Sequence, residues 1–242
     1  MVTGAGAGMG KAHALLMAER GAALVVQDIV GGRAQETADR IRSAGGTVRV
    51  AVCDVADRVA IGTAFREAEA ALGGIDILVN NAGIGGEPTI EATSEEEFDR
   101  TFAVHVKGCF FATQAVVPGM KQRRRGKVIN ISSTWGMVGH HYASPYCGAK
   151  AAILGLTKAW AKELAPWNIQ VNAVAPGGVL TEMVLSQPDI EARMPEKLRR
   201  VPLGRYAEPR EISYTVAFLA SPASDFITGQ VISPNGGEVV GI

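Results

Sequence analysis

Short apolar segments that alternate with longer amphipathic segments are the feature that most constrains the fold of this chain. The apolar segments lie at 23–27, 47–53, 75–81, 127–132, 169–175 and 230–233, and segments with helical periodicity include 11–20, 34–43 and 59–72. Strands without in-and-out alternation are usually buried on both faces, as in a parallel sheet covered by helices. The alternation therefore predicts an α/β fold, with a doubly wound, Rossmann-like parallel sheet of about seven strands and helices on both faces.

The chain shows no internal division. No composition break, repeat or Pro/Ser-rich linker separates two regions of its 242 residues, so we expect one domain over 1–242. Residues 182–208 hold three prolines and mixed charge and interrupt the strand–helix rhythm. Such an irregular excursion predicts a mobile lid over a site.

The charge balance and the cysteines exclude several classes of protein. There are 24 basic and 24 acidic residues, which gives no electrostatic basis for binding nucleic acid or anionic lipid, and we interpret the basic run at 121–127 as a solvated loop. No apolar segment approaches the ~18 residues needed to span a membrane, and no signal peptide is evident. Three scattered cysteines and four histidines show no metal-ligand spacing. We therefore expect a soluble cytoplasmic protein without a metal.

A glycine-rich turn near the start of the chain predicts a dinucleotide site. Its spacing is T-G-x-x-x-G-x-G, through Thr3, Gly4, Gly8 and Gly10, and not the usual G-x-G-x-x-G. Glycines at such a strand–helix junction let backbone N–H groups and the positive end of the helix approach a pyrophosphate. A turn with a purely structural role is the alternative.

Asp28 indicates which dinucleotide binds. It ends the second predicted strand, 18 residues after Gly10, where a carboxylate can accept hydrogen bonds from both hydroxyls of the adenosine ribose. A 2′-phosphate there would meet like charge, at a cost of about 4 kcal/mol at ~4 Å and an effective dielectric constant of ~20. This favours NAD over NADP. The alternative is that Asp28 serves only as a turn or N-cap residue.

Tyr146 and Lys150 are candidates for acid–base chemistry. They lie four residues apart, on one face of a predicted helix. A phenol has an ordinary pKa near 10, and a nearby ammonium is expected to lower that pKa toward neutrality. A serine hydroxyl at the end of the preceding strand could then bind a substrate oxygen.

The ordered set of motifs resembles the short-chain dehydrogenase/reductase family over essentially the whole chain. The set comprises the glycine turn, N-N-A-G at 80–83, a strand that ends in Ser132 and Ser133, Y-x-x-x-K at 146–150, and P-G at 176–177. The resemblance implies that Tyr146 is the acid/base, that Lys150 lowers its pKa and holds the nicotinamide ribose, and that Ser133 polarises the carbonyl.

The resemblance also implies a cofactor site, and the chain departs from the family pattern at two places. The implied NAD-binding residues are Gly4, Gly8, Met9, Gly10, Asp28, Asp54, Val55, Asn81, Ala82, Gly83, Tyr146, Lys150, Pro176, Gly177, Val179 and Thr181. His105 replaces the family's usual Asn, and it either relays protons itself or is a neutral packed residue. Only two residues precede Thr3, where a full first strand is expected, and this puts stability rather than chemistry in doubt.

These observations predict an NAD(H)-dependent oxidoreductase that interconverts a secondary alcohol and a ketone of modest size. A 3-oxoacyl-thioester reductase of the same family is one alternative, although the resemblance implies NADPH for those enzymes. A non-catalytic dinucleotide-binding protein is the other. The resemblance also implies a homotetramer. His140 and His141 either contact the substrate or lie exposed in a loop.

Overall fold

Seven parallel strands form one sheet in the computed structural model, which describes residues 1–186 and 190–241. The strands are β1 (Val2–Thr3), β2 (Leu24–Asp28), β3 (Val48–Val52), β4 (Ile77–Asn80), β5 (Gly126–Ile131), β6 (Ile169–Val174) and β7 (Val231–Ile232). Their spatial order is β3-β2-β1-β4-β5-β6-β7, and every neighbouring pair is parallel. The doubly wound parallel sheet is therefore confirmed.

Helices occupy the crossovers between strands. They are α1 (Gly8–Glu19), α2 (Gly31–Ser43), α3 (Arg58–Leu72), α4 (Glu95–Phe102), α5 (Gly108–Arg123), α6 (Thr134–Val138), α7 (Ser144–Leu164), α8 (Glu182–Leu185), α9 (Ile190–Arg199) and α10 (Pro209–Ala220). A π-helical turn, Ala103–Lys107, joins α4 to α5. No helix in the described part of the chain is both long and apolar enough to cross a membrane.

Both faces of the sheet are buried, which explains the continuous apolar strands. Leu78 of β4 packs into one hydrophobic cluster with helices α3, α5 and α7, whereas the next residue, Val79, packs into a second cluster with α1, α2 and α10. Both side chains are fully buried. Successive strand residues point to opposite faces, so a strand covered on both sides is apolar at consecutive positions.

The first strand is short but central. Val2 pairs with Val26 on one side and with Val79 on the other, and it is fully buried. Strand β1 thus delivers the glycine turn between its two neighbours, at the carboxyl end of the sheet.

Two segments differ from their predictions. The basic run at 121–127 is not wholly a loop, because α5 continues to Arg123, and both Arg123 and Arg125 reach the Asp76 carboxylate, at 3.5 and 3.0 Å. The predicted lid contains α8 and α9, while its residues 187–189 lie outside the described residues. A bridge between Val179 and Ala207 joins the two ends of this lid segment.

Candidate active site

The glycine turn forms the floor of a groove of about 450 Å³ at the carboxyl end of the sheet. Gly4 and Gly8 have φ angles of 62° and 52°, in the left-handed region that favours glycine. A Cβ at Gly10 would collide with the Gly4 carbonyl oxygen. The turn therefore requires glycine at these three positions, and it exposes its backbone to the groove.

Two side chains hold the turn against the loop after β4. The Thr3 hydroxyl accepts hydrogen bonds from the backbone N–H groups of Asn81, at 3.0 Å, and Ala82, at 3.1 Å. In return, the Asn81 amide donates to the Thr3 carbonyl at 2.9 Å. The first threonine and the N-N-A-G motif thus lock together, which explains why both patterns occur in one chain.

Asp28 lies at the end of β2 on the wall of the same groove. Its Oδ2 accepts a hydrogen bond from the Gly6 N–H at 2.9 Å, and its Oδ1 accepts one from the Val30 N–H at 2.9 Å. The residue therefore also supports a turn before α2, as its alternative interpretation held. Each carboxylate oxygen keeps a further lone pair for a ligand hydroxyl.

Most of the residues predicted to bind a cofactor line this groove. Those residues are Gly4, Gly8, Met9, Gly10, Asp28, Asp54, Val55, Asn81, Ala82, Gly83, Tyr146, Lys150 and Thr181. The Asp54 carboxylate is held at one edge by Arg100, 2.8 Å away. Gly177 and Val179 line a second cavity instead, and Pro176 is buried with its carbonyl oxygen accepting a hydrogen bond from Thr134.

The predicted catalytic side chains come from two elements. Ser133 is the N-cap of α6, and its hydroxyl accepts a hydrogen bond from the Trp135 N–H at 3.2 Å. Tyr146 and Lys150 lie on α7, with the Lys150 Nζ 5.5 Å from the centre of the Tyr146 ring. Ser132 is engaged elsewhere, since its hydroxyl donates to the Lys150 carbonyl at 2.8 Å. Ser133 is thus the serine that faces Tyr146.

Burial, and not the Lys150 ammonium, has the largest effect on the pKa of the Tyr146 phenol in this structure. Burial raises its pKa to about 12, and interaction with the Ser133 hydroxyl offsets only part of that rise. Burial also lowers the pKa of Lys150 to about 8, and the amine donates to the Ile131 carbonyl at 2.8 Å. The predicted lowering of the Tyr146 pKa by Lys150 is therefore not found, and the phenol is held protonated at neutral pH.

His105 is a neutral, buried residue beside the site. It lies in the π-helical turn, is 2% exposed, and its Nε2 contacts both the backbone N and O of Ile84, at 3.2 and 2.9 Å. Burial lowers its pKa to about 3. Its ring meets the Tyr146 ring edge-on at 5.3 Å. These contacts match the packed interpretation of His105, because a group with so low a pKa does not titrate near neutrality.

The groove fits a nicotinamide dinucleotide. Its glycine floor offers backbone N–H groups that a Cβ would obstruct, and Asp28 provides acceptors for ribose hydroxyls at the far end. Tyr146 and Lys150 line the same groove. No set of three His, Cys, Asp or Glu side chains within 1–186 and 190–241 could hold a metal ion.

A second cavity of about 390 Å³ begins at Ser133 and Tyr146. One wall is aromatic, because the rings of Trp135 and His140 stack at 4.0 Å and His140 meets Tyr142 at 4.1 Å. His141 also lines the cavity while remaining exposed. Both predicted histidines thus border the space next to the phenol, where a substrate would lie.

Several residues of this cavity were not identified from the sequence. They are Glu87, Arg193, Lys197, Tyr206 and Glu238. The Glu87 carboxylate, in the loop after β4, pairs with Arg193 at 3.0 Å and with Lys197 at 3.8 Å, which ties α9 over the cavity. In the sequence, the only signal for these residues is their position after Gly-Gly or within the irregular 182–208 segment.

A dinucleotide groove at the carboxyl end of a doubly wound sheet, with a phenol on the wall it shares with a second cavity, defines a nicotinamide-dependent oxidoreductase. The family model described as "Enoyl-(Acyl carrier protein) reductase" matches residues 4–238. The chain belongs to the short-chain dehydrogenase/reductase family.

Two relatives and one solved structure illustrate the similarity. The chain is 40% identical to "3-oxoacyl-[acyl-carrier-protein] reductase FabG" of Thermotoga maritima, over 99% of this chain and 97% of that protein. It is 40% identical to "(2S)-[(R)-hydroxy(phenyl)methyl]succinyl-CoA dehydrogenase subunit BbsD" of Thauera aromatica, over 98% and 95%. The crystal structure of the 3-oxoacyl-[acyl-carrier protein] reductase of Brucella melitensis superposes with a TM-score of 0.90 at 34% identity, covering 97% of this chain and 88% of that one.

Proposed function

We propose that this protein is an NAD(H)-dependent oxidoreductase that interconverts a 3-hydroxyacyl and a 3-oxoacyl thioester. The observation that carries the proposal is the position of Tyr146, which lines both the dinucleotide groove and the aromatic cavity. A substrate carbonyl in that cavity can therefore meet the phenol and a nicotinamide at the same point. The names of the relatives favour a thioester over the simple alcohol or ketone expected from the motifs alone.

The side chains divide the work of carbonyl reduction. When bound, the reduced dinucleotide supplies a hydride. Ser133 donates a hydrogen bond to the carbonyl oxygen, and Tyr146 gives that oxygen its proton. A phenol that burial keeps protonated, with a pKa of about 12, is in the form that reduction requires. Lys150, held on the Ile131 carbonyl, lies where it can bind a ribose hydroxyl.

The choice of NAD over NADP rests on Asp28. Its carboxylate is fixed by two backbone N–H groups on the groove wall, so it cannot easily turn away from a 2′-phosphate. Arg33, which also lines the groove, is directed to Glu182 at 3.6 Å. Arg33 is thus partnered by a carboxylate, and like-charge repulsion from Asp28 favours NAD.

Purified protein with NADH or NADPH and acetoacetyl-CoA tests the proposal, by following the loss of nicotinamide absorbance. We expect turnover with NADH, little turnover with NADPH, and a kcat at least about a hundredfold lower for Tyr146→Phe. Crotonyl-CoA, which carries a double bond but no 3-oxo group, should give no reaction. Turnover of simple ketones alone would replace the thioester by the broader alcohol–ketone class. Binding of NADH without turnover of any carbonyl would show the non-catalytic alternative.

A further inference from the structure

The charged side chains of the substrate cavity are paired, with one exception. Arg193 and Lys197 share Glu87, and Arg200 pairs with Glu196 at 3.2 Å. The sixth charged residue is Glu238. Its carboxylate makes no hydrogen bond or ion pair with any side chain or backbone group of residues 1–186 and 190–241.

The backbone holds Glu238 in place. It follows a Gly-Gly turn that Asn235 organises, since the Asn235 Oδ1 accepts a hydrogen bond from the Gly237 N–H at 2.8 Å and its Nδ2 donates to the Val239 carbonyl at 2.8 Å. Asn235 is itself buried. The Glu238 Oε2 lies against Gly177, only 3.0 Å from the point where a Cβ would stand. The half-buried carboxylate is therefore directed at the cavity wall and not out into solvent.

A second polar group without a partner lies beside it. The ring of Tyr206 packs directly on Gly178, where a Cβ would overlap it. The Tyr206 hydroxyl makes no hydrogen bond within the described part of the chain, and burial together with the negative charge of Glu238 raises its pKa to about 12. Glycines at 177 and 178 thus allow a carboxylate and a phenol to approach one corner of the cavity.

We infer that Glu238 and Tyr206 form a polar subsite that selects acyl groups ending in a hydroxyl and rejects those ending in a carboxylate. This inference rests on the proposed function. The half-buried Glu238 carboxylate can accept a hydrogen bond from a substrate hydroxyl, whereas a substrate methyl group would displace water from it without replacing that hydrogen bond. A substrate carboxylate would meet like charge at the same corner. Arg200 and Lys197 also act on Glu238 and lower its pKa, but burial raises that pKa by more. Each of the three cations is also paired with Glu87 or Glu196, so we expect the preference to hold.

The test uses 3-oxoacyl-CoA substrates of one chain length that end in methyl, hydroxyl or carboxylate, assayed with NADH. For the wild-type protein we expect kcat/KM to fall from hydroxyl to methyl to carboxylate, with a step of about tenfold at each change. Glu238→Gln should raise the ratio of kcat/KM for the carboxylate substrate to that for the methyl substrate from about one tenth to near one. Glu191→Gln removes an exposed charge from α9 outside the cavity and leaves Glu238 and the ion pairs of the cavity intact, so the order should persist.

The outcomes separate this inference from the proposed function. The same three end groups are also tested on methyl ketones that lack a thioester. If only the ketones react, and in the expected order, the thioester proposal is wrong and the subsite stands. If the thioesters react but the wild-type order is absent, or Glu238→Gln leaves it unchanged, the subsite is wrong. Glu238→Asp, which keeps the charge, should retain discrimination against the carboxylate, and a thermal melt of each variant checks folding.

Discussion

Replacing Asp28 by asparagine should move the cofactor preference toward NADP(H). The substitution keeps the size of the side chain and removes its charge. Like-charge repulsion between the carboxylate and a 2′-phosphate is worth about 4 kcal/mol at ~4 Å and an effective dielectric constant of ~20. Asp28 is half-exposed, so solvent screens part of this. We therefore expect the ratio of kcat/KM for NADPH to that for NADH to rise between about tenfold and thousandfold.

The assay measures initial rates with both cofactors at one saturating substrate concentration and fixed ionic strength. Asparagine can accept only one of the two hydrogen bonds that Asp28 takes from Gly6 and Val30, so a stability loss of about 1–3 kcal/mol is expected alongside. Asp54→Asn is the matched control, because Asp54 lines the same groove but is paired with Arg100.

Two results would refute this reasoning. One is a wild-type protein that uses NADPH as efficiently as NADH. The other is an Asp28→Asn variant whose cofactor ratio changes no more than that of Asp54→Asn. Either result would mean that the Asp28 carboxylate does not contact the adenosine ribose of the cofactor.

Three further predictions concern the chemistry and the core. Tyr146→Phe should lower kcat by at least about a hundredfold while the Kd for NADH, from fluorescence titration, stays within about threefold; an equal loss of binding would contradict its role as proton donor. Gly178→Ala forces a Cβ into the Tyr206 ring and should cost about 1–3 kcal/mol in urea unfolding. Burial lowers the pKa of His13 and His105 to about 3, against about 6.5 when unfolded, so their contribution to stability is complete above pH 6.5 and declines as the pH falls toward 3. Urea unfolding across that range should show the decline, and His13→Gln should reduce its slope.

The fold was predictable because the strands are buried on both faces. Residues 77–79 are continuously apolar, and Leu78 and Val79 show why, since each contacts a different layer of helices. The glycine turn was predictable for a similar reason, because a backbone conformation or close approach excludes other residues at Gly4 and Gly10. In both cases the local geometry restricts which residue types can occupy a position, and the sequence shows that restriction directly.

The electrostatic state of the site was not predictable. The four-residue spacing of Tyr146 and Lys150 indicates proximity, but it carries no information on burial, and burial reverses the expected direction of the Tyr146 pKa. The packing of His105 depends on its contact with Ile84. That contact is made from a π-helical turn, which the hydrophobic periodicity of the sequence does not predict. The position of Glu238 could not be predicted from the sequence, because only tertiary packing brings it to Gly177.

The boundary position of Tyr146 bears on how ligands occupy the two spaces. The groove and the aromatic cavity share this ring, and they also share Met9, Thr181 and Met183. Two ligands, one in each space, would therefore contact the same short stretch of wall without overlapping. A single inhibitor that spans the Tyr146 ring would occupy both the groove and the aromatic cavity.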